Sequence, residues 1–276
     1  MNLVLEDSQT LTSVTAPLTF ATRDGTTPVS LPSRPGEGEG RYEGDHEQHL
    51  VEITNAWPLA DELSLDREVF QVVHHHTALD IFDEDDRTGA YEREIETLIK
   101  QATGARHIIV FDHTLRAGDE NVRGEKKLRE PVQMVQNDYT DRSARMRLRD
   151  LVGDEEAEKL MEGRFAIMNV WRGIDQTVES HPPAFAEARP IDPDDLIPVE
   201  RRSEDRIGEI QHLLHNPEQN WYYLPLLKQD EAILIKCFDS DVTKAKLTAH
   251  TAFEDPTTPA NAAPRQSIES RTFVFY

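Results

Sequence analysis

Three short stretches hold side chains that could do chemistry together. In VQNDYT, residues 135–140, Gln136 and Asp138 stand two apart, and on a strand such residues share a face. In AHTAF, residues 249–253, His250 closes an apolar run. In PRQSIESRTF, residues 264–273, Arg265 and Ser267 are again two apart. A carboxylate and an imidazole can hold a divalent metal, and the amide oxygen of Gln136 adds a neutral, poorer donor. A guanidinium fork beside a hydroxyl suits a carboxylate.

A carboxylate, a distant histidine and then Arg-x-Ser is the order expected of an iron(II)/2-oxoglutarate oxygenase. There, two histidines and one carboxylate hold the metal on one face and leave the other open. Spacing alone is a weak signal, since His and Asp pairs are common. The expected metal ligands are Gln136, Asp138 and His250, and the expected 2-oxoglutarate anchor is Arg265 with Ser267. Arg271 on the last strand competes with Arg265 for that role. Arg116 in FDHTLR and Arg172 in NVWR are candidates to grip a carboxylate, with an ordinary ion pair as the plain alternative. His113 is either a hydrogen-bonded structural histidine or a site residue, and it is the replacement ligand if Gln136 does not bind. The run His74-His75-His76 cannot gather on one ion, because neighbours on a strand alternate faces. Cys237, inside AILIKCF, reads as a small buried hydrophobe.

The elements that must position these groups are short strands. EVFQVV (68–73), HIIVF (107–111), FAIMNVW (165–171), WYYLPL (221–226), AILIKCF (232–238), KLTAH (246–250) and SRTFVFY (270–276) are separated by turn-forming segments. A Pro- and acid-rich excursion at 180–205 interrupts them. This pattern predicts a mainly β fold with peripheral helices: an antiparallel jelly roll, or double-stranded β-helix, from about residue 105 onward. Tyr91, Ile95, Leu98, Ile99 and Ala102 mark a helical stripe that should pack outside the barrel, and Gly104 sits where a C-terminal cap belongs. Two short helices are expected across 141–162, the second beginning on Asp154-Glu155-Glu156, as suits a helix N-terminus. Residues 1–60 are rich in Gly, Pro and charge and read as an extended N-terminal arm; residues 61–276 form the domain.

Composition narrows the partners. The chain has 276 residues, with 30 basic against 52 acidic and a net charge of -22. Such a polyanion repels nucleic acid and anionic lipid, so neither is expected as a partner. No apolar run is long enough to span a membrane, and the acidic N-terminus has no signal-peptide core. A single cysteine forms no intrachain disulfide, so a reduced, cytoplasmic setting is expected.

Several stretches resemble the fungal and bacterial hydroxylase/desaturase family related to the cephamycin 7α-methoxylation protein. They are FQVVHHHTALDIFDED, ETLIKQATGARHIIVFDHTLR, VQNDYT, NVWR, HNPEQNWYYLP, ILIKCFDS, HTAFEDPTTP and PRQSIESRTFVFY, in the family's order from about residue 66 to the end. The resemblance implies Fe(II) and 2-oxoglutarate as cofactor and co-substrate. It also implies a small-molecule substrate, a secondary metabolite or modified amino acid, expected to carry a carboxylate. One departure stands out. The family pattern reads His-x-Asp where this chain has Gln136-Asn137-Asp138. Gln136 is then a natural weak ligand, an introduced substitution, or the mark of lost iron chemistry. In the last case the chain would be a metal-poor or metal-free binding jelly roll.

Overall fold

The computed structural model describes residues 12–23, 25–189, 191–204 and 206–276. The first sixty residues carry β1 (Ser13–Ala21), β2 (Val29–Leu31), β3 (Arg41–Glu43) and β4 (His46–Asn55). Then come β5 (Phe70–His74), α1 (Glu92–Thr103), β6 (His107–Ala117), α2 (Glu120–Lys126), β7 (Gln136–Asn137), α3 (Asp141–Val152) and α4 (Asp154–Met161). The remainder is strand: β8 (Phe165–Gly173), β9 (Pro183–Ala186), β10 (Leu196–Arg202), β11 (Ile207–Leu213), β12 (Trp221–Tyr223), β13 (Glu231–Asp239), β14 (His250–Ala252) and β15 (Gln266–Phe275).

These strands make two sheets. One has five strands in the order β5-β13-β8-β15-β6, every neighbouring pair antiparallel. The other has ten, in the order β1-β4-β12-β9-β14-β7-β11-β10-β2-β3. Its only parallel pairings among the described residues are β4 with β12 and β2 with β10, where the N-terminal strands join. The expected jelly roll is what forms.

Core packing explains why every residue of β8 and β13, and all but the first of β15, is buried. They lie between two layers, so both faces are covered. Phe165, Ile167, Trp171, Ile233, Ile235, Phe273 and Phe275 fill the space between the sheets. Ala166, Met168, Val170, Leu234, Ile268 and Val274 meet the outer helix α1 through Ile95, Leu98 and Ile99. Burying each of those helix side chains stabilises by about 1.5–3 kcal/mol. Gly104 ends α1 in the left-handed region, φ 70°, with its N–H on the Lys100 carbonyl. The stripe and cap read from the sequence account for both.

The differences lie where polar sequence hides strands. Residues 1–60, expected as an arm, hold four strands in their described part, and β1 pairs β4 over nine positions. The excursion at 180–205 carries β9 and β10. KLTAH contributes only its final residue to a ladder, since β14 begins at His250; Thr248 instead ties the preceding loop to the Lys236 carbonyl through its N–H and to the Ala186 carbonyl through its hydroxyl.

Candidate active site

The site is built on the inward face of β15. Period-two alternation sends Ser267, Glu269 and Arg271 between the sheets together with Phe273 and Phe275, and sends Ile268, Ser270 and Val274 toward α1. Arg265, just before the strand, continues the inward series and is 2% exposed. Across the barrel, Gln136 of β7 pairs with His250 of β14. Asp138 follows one residue beyond β7 and shares a cleft with Gln136, as their spacing implied. Ligand atoms of Asp138, His250 and Glu269 all lie within 4.8 Å of one another.

Hydrogen bonds assign the oxygens. Asp138 Oδ2 accepts from Asn169 Nδ2 at 2.8 Å and from Arg271 Nε at 2.9 Å. Its Oδ1 receives only a long contact, 3.3 Å, from Gln136 Nε2. Asn169 also donates to Glu269 Oε1. Burial opposes the charge on Asp138, but Arg271, His250 and the Asn169 bond hold its carboxyl well below the usual range. Arg271 is correspondingly committed. It donates to Asp112 at 2.7 Å and to Thr114 at 2.7 Å, and lies 3.4 Å from Glu269. Burial works against its charge too, yet Asp138, Glu269 and Asp112 hold its pKa high.

Arg265 is in the opposite condition. Its Nη1 donates to the His181 carbonyl, but Nε has no partner among the described residues. The Ser267 hydroxyl, 1% exposed, is equally orphaned. Burial and the neighbouring Arg116 push the Arg265 pKa down, so its charge is under-compensated. Arg116 is the cross-strand partner of Ser267, and one guanidinium N–H is spent on the Glu130 carbonyl at 2.8 Å. Arg265, Arg116, Trp171, His250 and Glu269 line one narrow pocket. An unsatisfied buried donor costs about 1–3 kcal/mol, so the orphaned Arg265 Nε on this pocket, with the orphaned Ser267 hydroxyl two residues further on, suits a bound carboxylate. Arg265 and Arg271 thus differ in their partners: among the described residues Arg271 meets three carboxylates and Arg265 meets none.

Two expected site residues are not brought here. His113 points outward from β6; its Nδ1 meets Ser270 Oγ at 2.9 Å and its Nε2 meets Glu92 at 3.3 Å. Arg172 points outward from β8, bonded to His75 Nδ1 at 2.9 Å and to the Gln229 carbonyl. Both lie in the layer under Tyr91, on the far side of the sheet from Asp138. Strand parity is the reason. Asn169 and Trp171 face inward, so Arg172 cannot; Asp112 and Thr114 reach Arg271, so His113 cannot. His113 is therefore no substitute for Gln136.

Glu269, Asn169 and Asp112 were missed. For Glu269 the signal was present, since it continues the two-residue step from Arg265 and Ser267. With it the donor set is one imidazole, two carboxylates and one amide. That set fits a divalent cation and is richer in oxygen than the family's two-histidine pattern.

Residues 18–275 match the family model described as an oxidoreductase/YMDC permease-like domain. The chain is 33% identical over 252 residues to the Fe(II)/2-oxoglutarate-dependent dioxygenase nvfI of Aspergillus novofumigatus, covering 88% of each. The chain belongs to this oxygenase family. The hydroxylase/desaturase CTB9 of Cercospora beticola is 30% identical over 255 residues, covering 84% of this chain and 78% of that protein. The solved iron and alpha-ketoglutarate-dependent endoperoxidase NvfI superposes with a TM-score of 0.83 at 28% identity, covering 96% of this chain and 98% of that one. Membership in the oxygenase family leaves the metal-free binding alternative without support. Among the described residues of this oxygenase, no helix is long and apolar enough to cross a membrane.

Proposed function

We propose that this oxygenase oxidises a carbon of a small, carboxylate-bearing secondary metabolite or modified amino acid. Asp138, His250 and Glu269 would hold iron(II), and Arg265 with Ser267 would hold the far carboxylate of 2-oxoglutarate. The observation that carries the reading is the inward face of β15. It sets a guanidinium with an unpartnered Nε and an unpartnered hydroxyl, four and two residues respectively, from a carboxylate that meets Asp138 and His250. Iron(II) with 2-oxoglutarate supplies oxidation of a C–H bond by dioxygen, coupled to decarboxylation of the 2-oxo acid.

The protein's own groups divide the remaining work. Arg271 and Asn169 fix Asp138 through Oδ2, which leaves Oδ1 for the metal. Arg271 also balances the negative charge of Asp138 and Glu269 before a cation arrives. Gln136 lies against Asp138 Oδ1 and orients it; being neutral, it is the weaker candidate for the third ligand position than the Glu269 carboxylate. Trp171 walls the co-substrate pocket. A cleft of about 530 Å³ opens from Gln136, Asp138 and Arg116 and offers room for the substrate. Arg116 faces both spaces and is suited to a carboxylate in either one.

Hydroxylation, desaturation and ring closure all fall within this reading. The resemblance of the chain's motifs to the family related to the cephamycin 7α-methoxylation protein supports the same class of chemistry. The net charge and the lone, buried Cys237 support a cytoplasmic enzyme without nucleic-acid partners. The test is succinate release from 2-oxoglutarate by purified protein given iron(II) and air. Succinate should form and should vanish in Asp138→Ala; iron-loaded protein that never turns over 2-oxoglutarate would remove the proposal.

A further inference from the structure

Beyond the metal ligands lies a strongly basic chamber that this chemistry does not use. A second cleft, of about 470 Å³, adjoins the first, and the two share Arg129, Arg201, Arg206, Arg271 and Tyr139 as walls. Among the described residues, six arginines and two lysines line the second cleft against a single acid, Asp112. That is an unusual concentration in a chain of net charge -22. Asp112 is itself taken by Arg271 at 2.7 Å. Among the described residues, Arg129, Arg201 and Arg206 have neither a carboxylate partner nor a side-chain hydrogen bond. Arg147, over the Phe111 ring at 5.2 Å, likewise has no carboxylate partner. Arg201 lies partly buried among other guanidinium groups, and burial, then Arg271, depress its pKa.

Gathering free like charges in a half-buried cleft costs stability unless an anion compensates them. One carboxylate offers two oxygens and a single charge. Four free guanidinium forks exceed that capacity, whereas a phosphate-type group brings three oxygens and a charge near -2.

We infer that the substrate carries a phosphate or diphosphate group, held by Arg129, Arg201, Arg206 and Arg147 and set apart from the carbon that is oxidised. This rests on the proposed oxygenase site only in taking the adjoining cleft as the substrate's. Arg271 separates the two regions: it faces the metal ligands on one side and the chamber on the other. A charged tail in the chamber would lie beyond Arg271 while its organic part occupies the first cleft. Electrostatic focusing by the cleft would also offset the repulsion of an anion by the acidic surface.

The test is calorimetric titration of the full-length protein, saturated with 2-oxoglutarate, with inorganic phosphate and with pyrophosphate at fixed pH. Pyrophosphate should bind with one-to-one stoichiometry, more tightly than phosphate. Its affinity should fall severalfold between 50 and 300 mM salt, as screening of the cleft's charges requires. The double variant Arg129→Gln with Arg201→Gln, which leaves no buried partner stranded, should weaken pyrophosphate at least tenfold. Arg142→Gln, on an exposed side chain, should not. Failure of pyrophosphate to bind, salt-independent binding, or equal affinity in the double variant would each overturn the inference. Iron(II) and 2-oxoglutarate titrations of the same preparations read the oxygenase site separately. Their success beside a failed pyrophosphate titration sinks this inference alone, and their failure sinks the oxygenase reading.

Discussion

Replacing Arg271 by Met should expose how the site is balanced without its metal. The guanidinium touches Asp138 at 2.9 Å, Asp112 at 2.7 Å and Glu269 at 3.4 Å. Asp138 and Glu269 are each 7% exposed, while Asp112 has water available. Removing one partner of a buried ion pair costs about 3–5 kcal/mol, because the stranded charge remains. Metal-free Arg271→Met should therefore lose about that much stability in urea unfolding. The pH dependence has a definite sign. Asp138 is depressed in the folded protein, so its contribution is present above the unfolded carboxyl value of about 3.9 and is lost as pH falls toward the folded one. The deficit of the variant should thus be largest near pH 7 and shrink below about pH 4. A divalent cation neutralises the same two carboxylates, so manganese(II), as a redox-quiet stand-in for iron(II), should narrow the gap between variant and wild type. A loss under about 1 kcal/mol, or a gap that manganese(II) leaves unchanged, would refute this account of Arg271.

Glu269→Gln should weaken iron(II) binding at least tenfold by equilibrium dialysis under nitrogen, and Gln136→His should strengthen it, because an imidazole replaces a neutral amide beside His250; unchanged affinity in both would remove these positions from the metal. Arg265→Gln should weaken 2-oxoglutarate at least tenfold with little change in iron affinity, while Ser267→Ala costs a few-fold; calorimetry reads both. His113→Phe should retain full iron stoichiometry and lose only stability, so metal loss in that variant would return His113 to the site. Gly104→Ala meets no neighbour but forces a left-handed residue with a Cβ. It should cost about 1 kcal/mol in urea unfolding.

The ladder strands β6, β8, β13 and β15 are legible because each carries a short apolar run, and β8 and β13 are buried on both faces. That same property hid parity. All nine residues of β8 are buried, so nothing in the sequence told which face holds Asn169 and which holds Arg172. Arg172, a candidate to grip a carboxylate, lies on the outer face for that reason. The pairs Gln136 with Asp138 and Arg265 with Ser267 stand out in the sequence because polar residues at two-residue steps near strand ends imply a shared face. The peripheral strands were obscured differently. In β1, Val14, Ala16, Leu18 and Phe20 alternate cleanly into the core, but Pro17 and the following Gly-rich stretch mask the pattern. β10 and β11 mix apolar and polar residues, because Val199 and Leu213 are buried while Arg201, Glu209 and His212 line the first cleft.

Anaerobic titration of iron(II) into the metal-free protein, with and without 2-oxoglutarate, tests the central claim most directly. The wild type should take up one equivalent of iron(II), more tightly when 2-oxoglutarate is present, and Asp138→Ala and His250→Ala should each abolish uptake. A wild type that binds no iron under these conditions, or binds it equally well without Asp138 and His250, would contradict the assignment of the site.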